Sequence, residues 1–239
     1  ETELELNALG SLRWNLSIFK ADVALDKRPV LACGREELLQ GYLLIAPTLE
    51  YILEAQRKMM YGEIPAEIVM APAFPSVLDR SQVPEGSGGD TIYLYGPGAP
   101  LNLTEGRDWD DHIDAFVGDA IAMMDIYAPG LKDSVIGSFN KSPKDFAKQS
   151  YRGNIVHTDM SMSMMGPWRP IPSMSGYRTP ITNLWHTAAG AHPMGALNGW
   201  SGRTTARTVH KKMDKAPSAP QSFAASPNGH AAHEKVPVA

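Results

Sequence analysis

The chain has 239 residues, of which 43% are hydrophobic and 20% charged, which is enough apolar material for a sizeable buried core in a single globular unit or slightly more than one. Its formal net charge of −4 supplies no electrostatic reason to expect nucleic acid or an acidic membrane surface as partner. Cys33 is the only cysteine, so an internal disulfide is excluded and a cytoplasmic setting is expected.

The opening residues Glu1-Thr2-Glu3-Leu4-Glu5 lack the basic and apolar regions of a signal peptide. No apolar run reaches the roughly 18 residues that a membrane-spanning helix needs. Residues 12–18 alternate apolar and polar side chains, the two-residue period of a half-buried strand, and are expected in a sheet that floors a cavity. The spacing over 35–45 predicts a helix interrupted at Gly41 and ended near Pro47. Thr48 is a capping residue for a second helix through Leu49, Ile52, Leu53, Met59 and Met60 to a stop at Gly62.

Gly86-Ser87-Gly88-Gly89 reads as a loop, followed by a short strand over 91–95. Asp108 or Asp110 opens the clearest helix, with Ile113, Phe116, Val117, Ala120, Ile121 and Met124 three and four apart, and Ala128-Pro129-Gly130 closes it. Ser142-Pro143 starts another short helix with serine at the cap and proline in the first turn. Met160, Met162 and Met164 alternate and are expected to share one strand face, where thioethers suit either an adaptable apolar pocket or plain core filling. Beyond Lys211 the sequence turns to Pro, Ala, Ser, Asn, Gly and His, and an extended or disordered tail is expected over 211–239.

The most informative stretch is 177–203. Tyr177-Arg178-Thr179-Pro180-Ile181 reads as a strand, Gly190-Ala191-His192-Pro193-Met194-Gly195 as a tight turn, and Gly199-Trp200-Ser201-Gly202-Arg203 as the opening of a helix. A helix start behind such a turn offers free backbone N–H groups to an electron-rich ligand. The motifs resemble the carboxy-terminal signature of phytoene-dehydrogenase-related flavoproteins, the carotenoid-desaturase branch of the amine-oxidase-like FAD enzymes. Arg152-Gly153-Asn154-Ile155-Val156-His157, Trp168-Arg169-Pro170, Ser76-Val77-Leu78-Asp79, Tyr127-Ala128-Pro129-Gly130 and Ser142-Pro143-Lys144-Asp145-Phe146 follow the same family's order, and the resemblance covers residues 12–207. Ala188, Met194 and Ala196 stand where that family has glycine.

The resemblance implies an α/β, more narrowly α+β, architecture: the second half of a two-domain flavoprotein, with a mixed substrate-domain sheet over 1–176 and a strand, turn and helix over 177–210 returning to the FAD domain. It implies FAD as cofactor, contacted by Ala189, Gly190, His192, Pro193, Met194, Gly195, Ala196, Leu197 and Asn198, and a lipophilic substrate lined by Met160, Met162, Met164, Arg169 and Tyr177. His192 is the candidate for a catalytic role, with hydrogen bonding of the turn as its structural alternative; His157 and Arg169 either line the cavity or fix its walls.

No G-x-G-x-x-G turn occurs in the chain. The dinucleotide-binding half would therefore come from a second polypeptide. The reaction implied is hydride transfer from carbon to flavin, with an isoprenoid as one substrate class and peripheral membrane contact open. A flavin-dependent isomerase, an amine or alcohol oxidase, and a non-catalytic binding or assembly subunit stand as alternatives. No metal site is expected: Asp108, Asp110, Asp111 and Asp114 read as helix-start acids, and His230 and His233 fall in the tail.

Overall fold

A computed structural model of the chain describes residues 2–195, 197 and 199–213. After a helix α1 (Thr2–Gly10), strand β1 (Ser17–Leu25) runs through the middle of a four-stranded sheet. The others are β2 (Ala71–Ala73), β3 (Asp90–Ala99) and β4 (Val135–Lys141), in the order β2-β3-β1-β4 with every pairing antiparallel. With its helices this makes an α+β fold.

Side-chain alternation decides which face of the sheet is covered. Phe19, Ala21, Val23 and Leu25 of β1, with Ile92 and Leu94 of β3, are buried, while Lys20 and Asp22 face the other way. Against the buried face lie α2 (Leu49–Met60), through Ala55 and Met59, and α4 (Trp109–Tyr127), through Trp109, Phe116, Val117, Ala120, Ile121 and Met124. Phe19 and Phe116 meet edge to face with ring centres 4.8 Å apart, and Trp109 meets Phe116 at 5.7 Å. The Phe19 ring lies over Gly96, where any Cβ would overlap it.

The caps are where the sequence signals them. Thr48 accepts the Tyr51 amide at 3.1 Å to start α2. Asp108 accepts the Asp110 amide at 2.8 Å to start α4, and Lys144 bridges Asp108 and Asp110 at 2.7 and 2.6 Å. A reciprocal Ser142–Asp145 cap opens α5 (Pro143–Ala147). A one-turn helix α3 (Pro75–Leu78) precedes the Gly86 to Gly89 loop, and α6 (Trp200–Met213) closes the described chain.

Three expectations are corrected. The strand placed over 12–18 begins at Ser17: the alternation runs on to Leu25, and Trp14 instead bridges Thr158. The helix expected over 35–45 is a short 3-10 turn, Glu36–Gln40, because Gly41 ends it and Tyr42 and Ile45 bridge to Ala73 and Met70. The strand over 91–95 extends to Asp90–Ala99. Of the expected tail, residues 214–239, with His230 and His233, lie outside the described residues, as do Ala196 and Asn198.

Candidate functional site

Beyond α5 the chain abandons regular structure until α6, and a single cation organises it. Arg169 is fully buried. Its guanidinium donates to the carbonyls of Ala189 (2.7 and 3.0 Å), Val156 (2.6 Å), Asp159 (3.1 Å) and Met164 (3.1 Å). Three stretches distant in sequence are thereby tied together at one point. Burial lowers its pKa, opposed in part by the charge of Asp159, whose carboxylate lies 3.4 Å from Arg13. Among the described residues no carboxylate forms an ion pair with Arg169. It therefore fixes the wall from behind rather than lining a surface.

The backbone here is unusual. Among the described residues, five of the six non-glycine residues with positive φ fall in this region: Arg152 (58°), His157 (62°), Tyr177 (68°), Asn183 (63°) and Ala188 (68°). Such conformations persist where surrounding contacts over-determine them, and they concentrate at functional sites. The strand expected at 177–181 is reduced to one bridge, Arg178 to Trp185, closed by the His186 amide donating to the Tyr177 carbonyl at 2.9 Å. Positive φ at Tyr177 and Asn183 turns the chain too sharply for a longer ladder.

The glycine corner follows. Residues Ala188–Gly190 form a 3-10 turn, with the Ala191 amide bonded to the Ala188 carbonyl at 3.0 Å. A Cβ at Gly190 would stand 2.9 Å from His186 Nε2, and one at Gly195 would stand 2.6 Å from Arg169 Nη2, 2.7 Å from the Val156 carbonyl and 2.9 Å from Met160 Sδ. Both glycines are demanded by close packing. Pro193 accepts the Gly166 amide at 2.7 Å, while Met194 and Leu197 are exposed. Helix α6 packs on the 188–190 turn and begins at Trp200, within the Gly199 to Arg203 segment read as the helix opening.

The methionine run does not share a strand face. Asp159 Oδ1 accepts the Ser161 amide at 2.9 Å and turns the chain, and Met162–Met164 become a 3-10 turn. Met160 packs near Gly195, Met164 lends its carbonyl to Arg169, and Met162 is 82% exposed.

Four buried polar atoms here have no hydrogen-bond partner among the described residues: Thr158 Oγ1, Tyr177 Oη, His186 Nδ1 and His192 Nδ1. Tyr177 is buried edge-on to His192, ring centres 6.1 Å apart. Beside them opens a cavity of about 340 Å³, whose polar wall is His157, Thr158, His186, Thr187 and Gly190 and whose apolar wall includes Leu9, Leu12, Trp14 and Met174. Burial lowers the pKa of His157, with the charge of Arg169 acting the same way; burial, His157 and Arg169, in that order, lower that of His186. Both rings are thus neutral near pH 7, each with one N–H to donate and one nitrogen to accept. Sequence reasoning missed His186 and Thr158. The local signal was histidine and threonine beside residues that need positive φ.

Among the described residues there is no group of three or more His, Cys, Asp or Glu arranged to hold a metal ion. Among them, too, no helix is long and apolar enough to cross a membrane.

No family model matches the chain. Its sequence similarity runs to proteins named for a pyridine nucleotide-disulfide oxidoreductase domain, a name that does not single out the phytoene dehydrogenases. Among its relatives are the pyridine nucleotide-disulfide oxidoreductase domain-containing protein 2 of Rattus norvegicus, 32% identical over 156 residues, and that of Mus musculus, 31% identical over 157. Each match covers 64% of this chain and 26% of the relative, so the matched part spans about a quarter of the relatives' length.

Proposed function

We propose that this chain is the carboxy-terminal half or subunit of an FAD-dependent dehydrogenase or desaturase that acts on a lipophilic, isoprenoid-like molecule, with a second polypeptide carrying the G-x-G-x-x-G half. In this reading residues 1–176 belong to the substrate domain and 177–210 complete the FAD domain. The setting is cytoplasmic, with peripheral membrane contact where the substrate is delivered from lipid. The observation that carries it is the corner at 186–195, where two glycines admit no Cβ and unpartnered buried polar atoms cluster beside a cavity.

The residues present fit one end of the cofactor. Orphaned polar atoms on Tyr177 and His192 suit the heteroatom-rich edge of a flavin ring. Gly190, His192, Pro193, Met194 and Gly195 are the described residues that would border it, together with Ala189 and Leu197. The sequence has no G-x-G-x-x-G turn to cradle a pyrophosphate, and in this reading the partner supplies it. A bound flavin supplies an acceptor for a hydride taken from carbon.

The chain's own contribution is positioning and the exclusion of water. Arg169 holds the corner by its carbonyls, so its charge stays behind the wall and out of the reacting space. His192 remains the candidate acid or base, its Nδ1 unpartnered and its ring set against Tyr177.

Co-purification of the chain with its partner tests this. A yellow complex with flavin absorption bands is expected, while the isolated chain binds FAD weakly or not at all. A colourless complex would favour a binding or assembly subunit, and tight FAD binding by the isolated chain would remove the need for a partner.

A further inference from the structure

The cavity between α1 and the glycine corner has an uneven chemistry. Leu9, Leu12, Trp14 and Met174 make one side apolar, and His157, Thr158 and His186 gather on the other. Among the described residues no acidic side chain lines it, and neither the buried Thr158 hydroxyl nor His186 Nδ1 has a hydrogen-bond partner. Both imidazoles face Gly190, where a Cβ would stand 2.9 Å from the His186 ring and 3.7 Å from that of His157.

Behind this polar wall lies Arg169, whose hydrogen bonds run to carbonyls, two of them to Val156 and Asp159 on either side of His157 and Thr158. Carbonyl dipoles satisfy its donors without neutralising its charge, which the Asp159 carboxylate, itself shared with Arg13, offsets only in part. Three neutral donors in front of a fixed buried cation make a corner of positive potential in an otherwise apolar cleft. A volume of about 340 Å³ is at the small end of ligand sites, which are apolar with a few convergent polar groups.

We infer that this cavity binds an acidic lipophile, its single carboxylate held by Thr158, His157 and His186 and its hydrocarbon body lying against Leu9, Leu12, Trp14 and Met174. A hydrocarbon leaves the three polar groups unmatched; an alcohol matches one or two of them and ignores the charge. An ammonium head would meet Arg169 with the same sign. As a binding site the cavity stands by itself; as a statement about the substrate of the enzyme, it rests on the flavoprotein reading.

The test is titration of the full chain with sodium octanoate and, separately, with 1-octanol, followed calorimetrically and through the imidazole NMR signals, which His157→Gln and His186→Gln assign. Octanoate is expected to bind at least about tenfold more tightly than octanol and to move both imidazole signals, since hydrogen bonds to a charged acceptor are roughly twice as strong as neutral ones. Thr158→Val, close in shape to the native side chain, is expected to weaken octanoate about five- to tenfold and to leave octanol little changed. Equal affinity for the two probes, octanoate binding that leaves both imidazoles unmoved, or no octanoate binding would overturn the inference. Its failure is separable from that of the flavin reading: octanoate binding by a chain whose purified complex is colourless keeps the site and removes the flavin, and a yellow complex that ignores octanoate does the reverse.

Discussion

Two halves of this molecule are held together by different physics. Between Ser17 and Lys141 a sheet and two long helices share one apolar core around Phe19, Trp109 and Phe116, and burial of hydrocarbon supplies the stabilisation. Between Tyr151 and Gly195 there is almost no regular structure, and one guanidinium with four well-placed carbonyl partners stands where the core would be. Apolar packing degrades by increments when an atom is lost. A polar staple fails as a unit, because each acceptor it abandons is left buried and unsatisfied.

The largest expected effect follows from that contrast. Arg169→Met keeps an apolar stem but removes the guanidinium and uncaps the carbonyls of Val156, Asp159, Met164 and Ala189, and a loss of about 3–5 kcal/mol is expected from the region it ties. Hydrogen exchange should show the amides of 156–191 losing protection while those of β1 and α4 keep theirs. If β1 and α4 lost protection together with them, the two halves would be one cooperative unit and the comparison would fail.

A smaller effect sharpens the same point at two glycines of one turn. Gly195→Ala pushes a methyl against Arg169, the Val156 carbonyl and Met160, of which the first two are locked, so roughly 1–3 kcal/mol of overpacking cost is expected. Gly190→Ala meets chiefly the His186 ring, an end that can turn aside, and is expected to cost less. Thermal unfolding of both variants checks the order. A larger loss at Gly190 would mean that His186 is held as rigidly as Arg169.

The sheet half was the more legible in sequence, for the same reason. Apolar residues at three- and four-residue spacing behind Thr48 and Asp108 read directly as α2 and α4, because amphipathic period and cap are local properties. The start of β1 was read five residues early, since alternation begins before Ser17 and only pairing with β3 and β4 sets where the ladder starts. Around the site, Gly190, Gly195 and Tyr177 stood out by motif. That His186 meets His157 did not, because the two are joined across 29 positions by the reach of Arg169, and no periodicity reports a side chain bonding to distant carbonyls. The alternating methionines were misread for a related reason: an Asp159 side chain bonding its own backbone two residues on overrides a strand pattern.

Acid is expected to separate the halves by the smallest and most reversible effect. In the sheet half, burial alone would raise the pKa of Asp90, but hydrogen bonds from Arg28 and Ser76 and the charges of Arg28 and Arg80 outweigh it, and the net shift is downward. A carboxyl depressed in the folded state contributes stability that is whole above its ordinary value of about 4 and is lost as pH falls below it. His157 and His186 are also depressed, by burial first, so their contribution has the same sign but an earlier onset: whole above about pH 6.5, lost as pH falls through their folded values. Between about pH 6.5 and 4, then, the corner at 157–190 should loosen while β1 stays protected. Hydrogen exchange at pH 7, 5.5 and 3.5 measures it. Protection of both regions lost in one step near pH 4 would mean that the histidines remain neutral well into acid and that the carbonyl staple, not their protonation, governs the corner.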